Sequence, residues 1–170
     1  TAQEYFFIGG MVGLNHGYIA GENQNFAETT NAVAISQNFN LENIVAVEEQ
    51  NAVGIVAGMN SEGTISGMYI KNSRINAQLL SNVGAVAGQS LGDETNARIE
   101  NNYVNCVINA NNNAGLLVGF ANKTDISKNI VEIYENDILN DNVQLDAIKG
   151  NENIGGLVGQ VQNSNINYNY

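Results

Sequence analysis

Ile154-Gly155-Gly156-Leu157-Val158-Gly159 is one of five copies of a short glycine phrase, and the register of those copies decides the fold. The others are Ile8-Gly9-Gly10-Met11-Val12-Gly13, Val53-Gly54-Ile55-Val56-Ala57-Gly58, Val83-Gly84-Ala85-Val86-Ala87-Gly88 and Ala114-Gly115-Leu116-Leu117-Val118-Gly119. Their closing glycines at 13, 58, 88, 119 and 159 are separated by 45, 30, 31 and 40 residues. A unit of 30 residues carrying two insertions accounts for these spacings, and periods of this size mark a repeat architecture.

A second phrase follows the first: Ile65-Ser66-Gly67-Met68-Tyr69-Ile70, Ile99-Glu100-Asn101-Asn102-Tyr103-Val104, Ile126-Ser127-Lys128-Asn129-Ile130-Val131 and Ile166-Asn167-Tyr168-Asn169-Tyr170. Its isoleucine lies seven residues after the closing glycine in three units, and eleven in the third, where Ser90 to Ala97 reads as a longer loop. The first unit is irregular. Ile19 arrives six residues after Gly13 without the rest of the phrase, whereas Ile35-Ser36-Gln37-Asn38-Phe39-Asn40 matches it sixteen residues later. A third apolar position, Val47, Ala77, Ile108 and Ile148, falls seven residues before the next opening glycine. Each unit therefore offers about three short strand-like segments, separated by Asn, Gly and Ser.

These two phrases resemble the GLUG-motif repeats of bacterial surface proteins, most closely at Gly156 to Gly159 with Ile166 to Tyr170. The resemblance implies a large secreted or wall-attached protein, such as an adhesin or an immunoglobulin A-cleaving peptidase, and hence an extracellular or cell-surface location. Ile55-Val56-Ala57 and Ala85-Val86-Ala87 depart from the family's Gly-Leu-Val core.

Short strands broken by Asn and Gly make poor independent hairpins. Stacked coils let each strand pair with its copy about 4.8 Å away. The expectation is an all-β, parallel β-solenoid (β-helix-like) of about five coils with two insertions, near Gly21 to Asn31 and Asn136 to Leu145. It forms one repeat domain over 1–170, with repeats near 8–52, 53–82, 83–113, 114–153 and 154–170. Since the fifth unit stops at Tyr170, a segment of a longer array is expected. Asn51, Asn82, Asn112, Asn113, Asn151 and Asn153 suit its corners, because Asn tolerates left-handed backbone angles and its amide bonds a stacked neighbour. The absence of proline spares the ladder its donors. Tyr5-Phe6-Phe7-Ile8 reads as a strand; Leu41 to Gln50 reads as a strand with an outward acidic end or a short helix, the match of Val47 favouring strand; and Val131-Glu132-Ile133-Tyr134 alternates.

Taken as one strand, the glycine phrase places Gly54, Val56 and Gly58 on one face and Val53, Ile55 and Ala57 on the other. It then forms either a tightly packed inner layer or an apolar ridge for a partner chain.

The formal net charge of -11 disfavours phosphate backbones and anionic lipid. No run of apolar residues is long enough to insert in a membrane as a helix. Asp93-Glu94, or Asp137, Asp141 and Asp146, could supply oxygens to calcium, but no calcium-loop pattern accompanies them, and no cofactor is assigned. His16 is the single histidine and reads as a loop residue, which rules out a histidine-pair metal motif or a histidine-based triad within this stretch. Cys106 reads as a small buried hydrophobe. Arg74 and Arg98 occupy non-equivalent positions with no recurring carboxylate pair beside them, so the expectation is non-catalytic. Two functional readings stand. One is a structural stalk module that self-associates through its solenoid ends. The other is an adhesin module binding a host protein or glycan through Tyr69, Tyr103, Tyr134, Tyr168 and Tyr170.

Overall fold

Val53 and Ala57 lie on separate strands, because the glycine phrase bends between them. The computed structural model describes residues 6–21, 33–35, 37–41, 44, 51–133 and 147–170. These contain strands and no helix. Each coil has four sides rather than three. The first side is Phe6–Gly9, Asn51–Gly54, Val83–Gly84, Asn112–Gly115 and Glu152–Gly155; the second is Val12–Asn15, Ala57–Ser61, Ala87–Leu91, Val118–Asn122 and Val158–Gln162. The third is Tyr18–Ala20, Thr64–Ser66, Ala97–Glu100, Thr124–Ser127 and Asn165–Asn167. The fourth combines Val33–Ile35 and Asn38–Asn40, Met68–Ala77, Tyr103–Ala110, and Ile130–Val131 with Ile148–Lys149. Every side is a parallel sheet in which each strand pairs with its copy in the next coil. The molecule is a parallel β-solenoid.

Register follows the sequence repeat through most of the coil. Gly9, Gly54, Gly84, Gly115 and Gly155 stack on the first side. Ile19, Ile65, Ile99, Ile126 and Ile166 stack on the third. Ile19 therefore holds the second-phrase position of the first coil, and the match at Ile35 is displaced: Ile35 pairs with Ile70 on the fourth side. The third apolar position also needs correction. Ile108 stacks with Ile148 and Ile75, and Ile75 with Phe39, while Ala77 pairs with Ala110 one turn of the pleat further on. Val47, the Tyr134 strand end and most of both insertions lie outside the described residues. The described residues break off after Gly21, between the third and fourth sides, and after Ile133, within the fourth.

The bend explains the glycines. Ile55 and Val56, adjacent in sequence, are both fully buried in the core with Val53 and Ala57. In the middle coils the phrase is thus an inner layer, while Met11 and Ile154 of the end copies are exposed. Gly54 and Gly58 sit where the first and second sides approach each other, and a Cβ on Gly54 would fall on the Ala57 carbonyl oxygen. A Cβ on Gly58 would lie 2.6 Å from the Ile8 nitrogen and 2.7 Å from the Phe7 carbonyl carbon. The stacked Gly88, Gly119 and Gly159 meet the first-side backbone in the same way. Only hydrogen fits between two backbones at that distance.

Two buried polar ladders run through the coils. Asn129 Oδ1 accepts from the Asn102 backbone N–H (3.0 Å) and from Asn102 Nδ2 (2.9 Å). Its own Nδ2 donates to the Ile99 carbonyl (2.9 Å) and to Asn169 Oδ1 (2.9 Å). One side chain ties three coils together, and Asn102 continues the pattern by accepting from the Met68 N–H and donating to the Ile65 carbonyl. The second ladder links Asn15, Asn60, Ser90 and Thr124.

Corners use left-handed residues in columns. Asn82, Asn113 and Asn153 form one, with φ of 55°, 51° and 53°; Asn101, Lys128 and Tyr168 form another with Gly67 at +71°. The expected corner role of asparagine holds for Asn82, Asn113 and Asn153. Asn51, Asn112 and Asn151 are not left-handed.

Candidate functional site

Four of the five candidate tyrosines fall within the described residues, and the structure divides them; Tyr134 lies outside. Tyr69 and Tyr103 are register partners on the fourth side, flanked by the buried Met68, Ile70 and Val104, so their rings point outward. The rings stack at 4.5 Å with a 27° interplanar angle, Tyr103 donates its hydroxyl to Glu132 Oε2 at 2.8 Å, and Lys71 Nζ lies 5.8 Å from the Tyr69 ring. Tyr103 is 9% exposed. This pair is a covered ladder with little free ring face. Tyr170 extends its column past Ile130, its backbone bonding Asn129 and Val131. Tyr168 stands in the left-handed corner column. Both are well exposed at the last coil, at 80% and 76%. The five tyrosines do not make one cluster.

Tyr168 holds a backbone conformation that costs a bulky L-residue about 1–2 kcal/mol. Gly67 and Asn101 fill the same column without that cost. Tyr168→Asn should therefore raise stability by about 1 kcal/mol; a chemical-denaturation midpoint that stays put or falls would contradict this.

Arg98 and Asp125 are register partners on the third side, beside Glu100, Lys128 and Tyr168, around a shallow cleft of about 390 Å³. Asp125 Oδ1 accepts from Asn96 Nδ2 (3.2 Å) and Asn165 Nδ2 (2.8 Å), so amides and not the guanidinium occupy it. Among the described residues no three His, Cys, Asp or Glu side chains gather as a metal centre. Asp137, Asp141 and Asp146 lie outside them. His16 is exposed, with Nδ1 3.1 Å from the Ser61 carbonyl. Cys106 is buried on the fourth side, and burial pushes its thiol pKa far up, away from the reactive thiolate. No helix among the described residues is long and apolar enough to cross a membrane.

A second cleft lies in the angle between the first and second sides. Asn82, Asn112, Asn113, Glu152 and Asn153 line it from the first side and the corner before it, and Gln89, Phe120, Gln160 and Gln162 from the second. The cleft measures about 430 Å³. Asn113 Nδ2 donates to Asn82 Oδ1 and Asn153 Nδ2 to Asn113 Oδ1, each at 2.8 Å. Gln89, Phe120 and Gln160 are direct register partners.

No family model, curated protein or solved structure matches the chain. Function therefore rests on the geometry. The groove went unread in the sequence, although a signal was present: its walls are the residue two before each opening glycine and the residue just after each closing one.

Proposed function

We propose that the chain is a non-catalytic structural module of the GLUG-repeat type, an acidic segment of a bacterial surface or secreted protein whose end coils accept a further coil. The observation that carries this reading is the open edge of the last coil. Along one column Ile65, Ile99 and Ile126 are fully buried, whereas Ile166 is 40% exposed, with Val161 beside it at 47%. Backbone groups follow suit. The Leu117 N–H donates to the Leu157 carbonyl, but among the described residues the Leu157 N–H has no acceptor. At the other end Phe6, Met11, Leu14 and Tyr18 are exposed. Unpaired ladder groups beside apolar side chains are a template for another strand layer, and head-to-tail contacts of this kind are heterologous and propagate. The net charge of -11 keeps the flanks soluble and mutually repelling, which directs association to the ends.

Light scattering over a wide concentration range tests this. The chain should gain mass with concentration, and Val161→Lys, which places a charge on the open edge, should hold it monomeric with an unchanged far-ultraviolet spectrum. A chain that stays monomeric throughout sinks the proposal.

A further inference from the structure

From the amide-lined groove on the flank of the rod, we infer a binding site for a neutral, linear oligosaccharide lying parallel to the solenoid axis. The site is remote in role from the end coils and goes beyond the structural reading.

The chemistry of the walls selects the ligand. Each Asn amide carries two N–H donors and a carbonyl oxygen with two lone pairs. The ladder uses one N–H and one lone pair of Asn113, a residue of the groove lining, and leaves one of each outside the ladder. Across from it the Gln160 side-chain amide makes no hydrogen bond among the described residues. A sugar hydroxyl is both donor and acceptor and matches such amides without any charge. Between the glutamines the half-buried Phe120 ring offers an apolar face, which suits the C–H face of a pyranose. Few ligand classes need both.

The alternatives fit less well. An anionic polymer would meet Glu152 in the lining and the acidic field of the whole chain. An extended polypeptide gains affinity by adding to a sheet edge, but here the groove crosses the strands, whose backbone groups are already paired between coils. Drug-like apolar ligands prefer mainly hydrophobic walls, and these are mainly amide. Repetition supports a polymer. Three rungs, Asn82 with Gln89, Asn113 with Phe120 and Asn153 with Gln160, recur at the coil spacing of about 4.8 Å, a step close to the length of one sugar unit in an extended glycan. Towards the first coil the corresponding positions turn apolar, as Ala52, Met59, Phe7 and Leu14, which ends the polar track.

Calorimetric titration with cellotriose, chitotriose and maltotriose, and with trigalacturonate as the charged comparison, tests the site. At least one neutral trisaccharide should bind, and Phe120→Ala and Gln160→Ala should each weaken that binding about tenfold. Tyr168→Ala, on another side of the coil, should leave it unchanged. Three results would overturn the inference: no binding by any neutral trisaccharide, binding that survives both groove variants, or preferential binding of trigalacturonate.

Discussion

Asn129→Leu should lower the stability of the folded chain by about 3 kcal/mol. Leucine is close in volume, so the loss comes from hydrogen bonding. The substitution strands the Asn102 backbone N–H at a fully buried site and removes the amide donor to the Ile99 carbonyl. It also takes away the acceptor of Asn102 Nδ2. Each buried polar group left without a partner costs about 1–3 kcal/mol. Asn169→Leu, the same position in the last coil, should cost only about 1 kcal/mol because Asn169 is itself only half-buried and ties two coils rather than three. Denaturant midpoints of the two variants measure the difference. Equal effects would mean that burial between coils is not what gives this ladder its value.

Gly119→Val should prevent the fourth coil from closing on the third, and Gly119→Ala should cost about 3 kcal/mol. A Cβ at this position falls on the Val83 nitrogen and the carbonyl carbon of Asn82. Neither can retreat. Val83–Gly84 is hydrogen-bonded into the first sheet on both flanks, to Val53–Gly54 and to Ala114–Gly115. Gly156 serves as the control, since a Cβ there meets nothing within 4 Å, and Gly156→Ala should change stability by less than about 0.5 kcal/mol. Thermal and chemical denaturation of the three variants decide it. A harmless Gly119→Ala would show that the two sides do not approach each other as closely as the bend requires.

The repeat was legible because stacking forces one residue type into one column. Closing glycines and the Ile65, Ile99, Ile126 column could be counted off directly. The bend was not legible. A strand alternates inward and outward, and a pattern of small apolar residues between glycines satisfies that alternation even when two neighbours, Ile55 and Val56, both turn inward. Hence three segments per unit were expected where four sides exist. The first coil misled for a different reason: Ile35-Ser36-Gln37-Asn38 carries the letters of the second phrase, but distance from Gly13 fixes Ile19 under Ile65. Ala77 was mistaken for the partner of Ile108 because counting back from the next glycine ignores the corner after it, where the Leu80 N–H bonds the Ala77 carbonyl. Tyrosines drew attention by recurrence. Recurrence marks a shared column, and Tyr69 with Tyr103 spend their faces on each other. The groove escaped notice since Asn and Gln scattered through an asparagine-rich chain show no cluster until the first and second sides fold together.

Amide exchange at equivalent positions of the bend, followed by nuclear magnetic resonance at low and at high protein concentration, tests the central claim that the end coil is an open template. Val86 donates to the Leu117 carbonyl and Leu117 to that of Leu157, so both amides should be protected at every concentration. The Leu157 amide should exchange quickly when the chain is dilute and become protected as coils associate. Protection of Leu157 in dilute solution equal to that of Val86, or no change on concentration, would contradict the account.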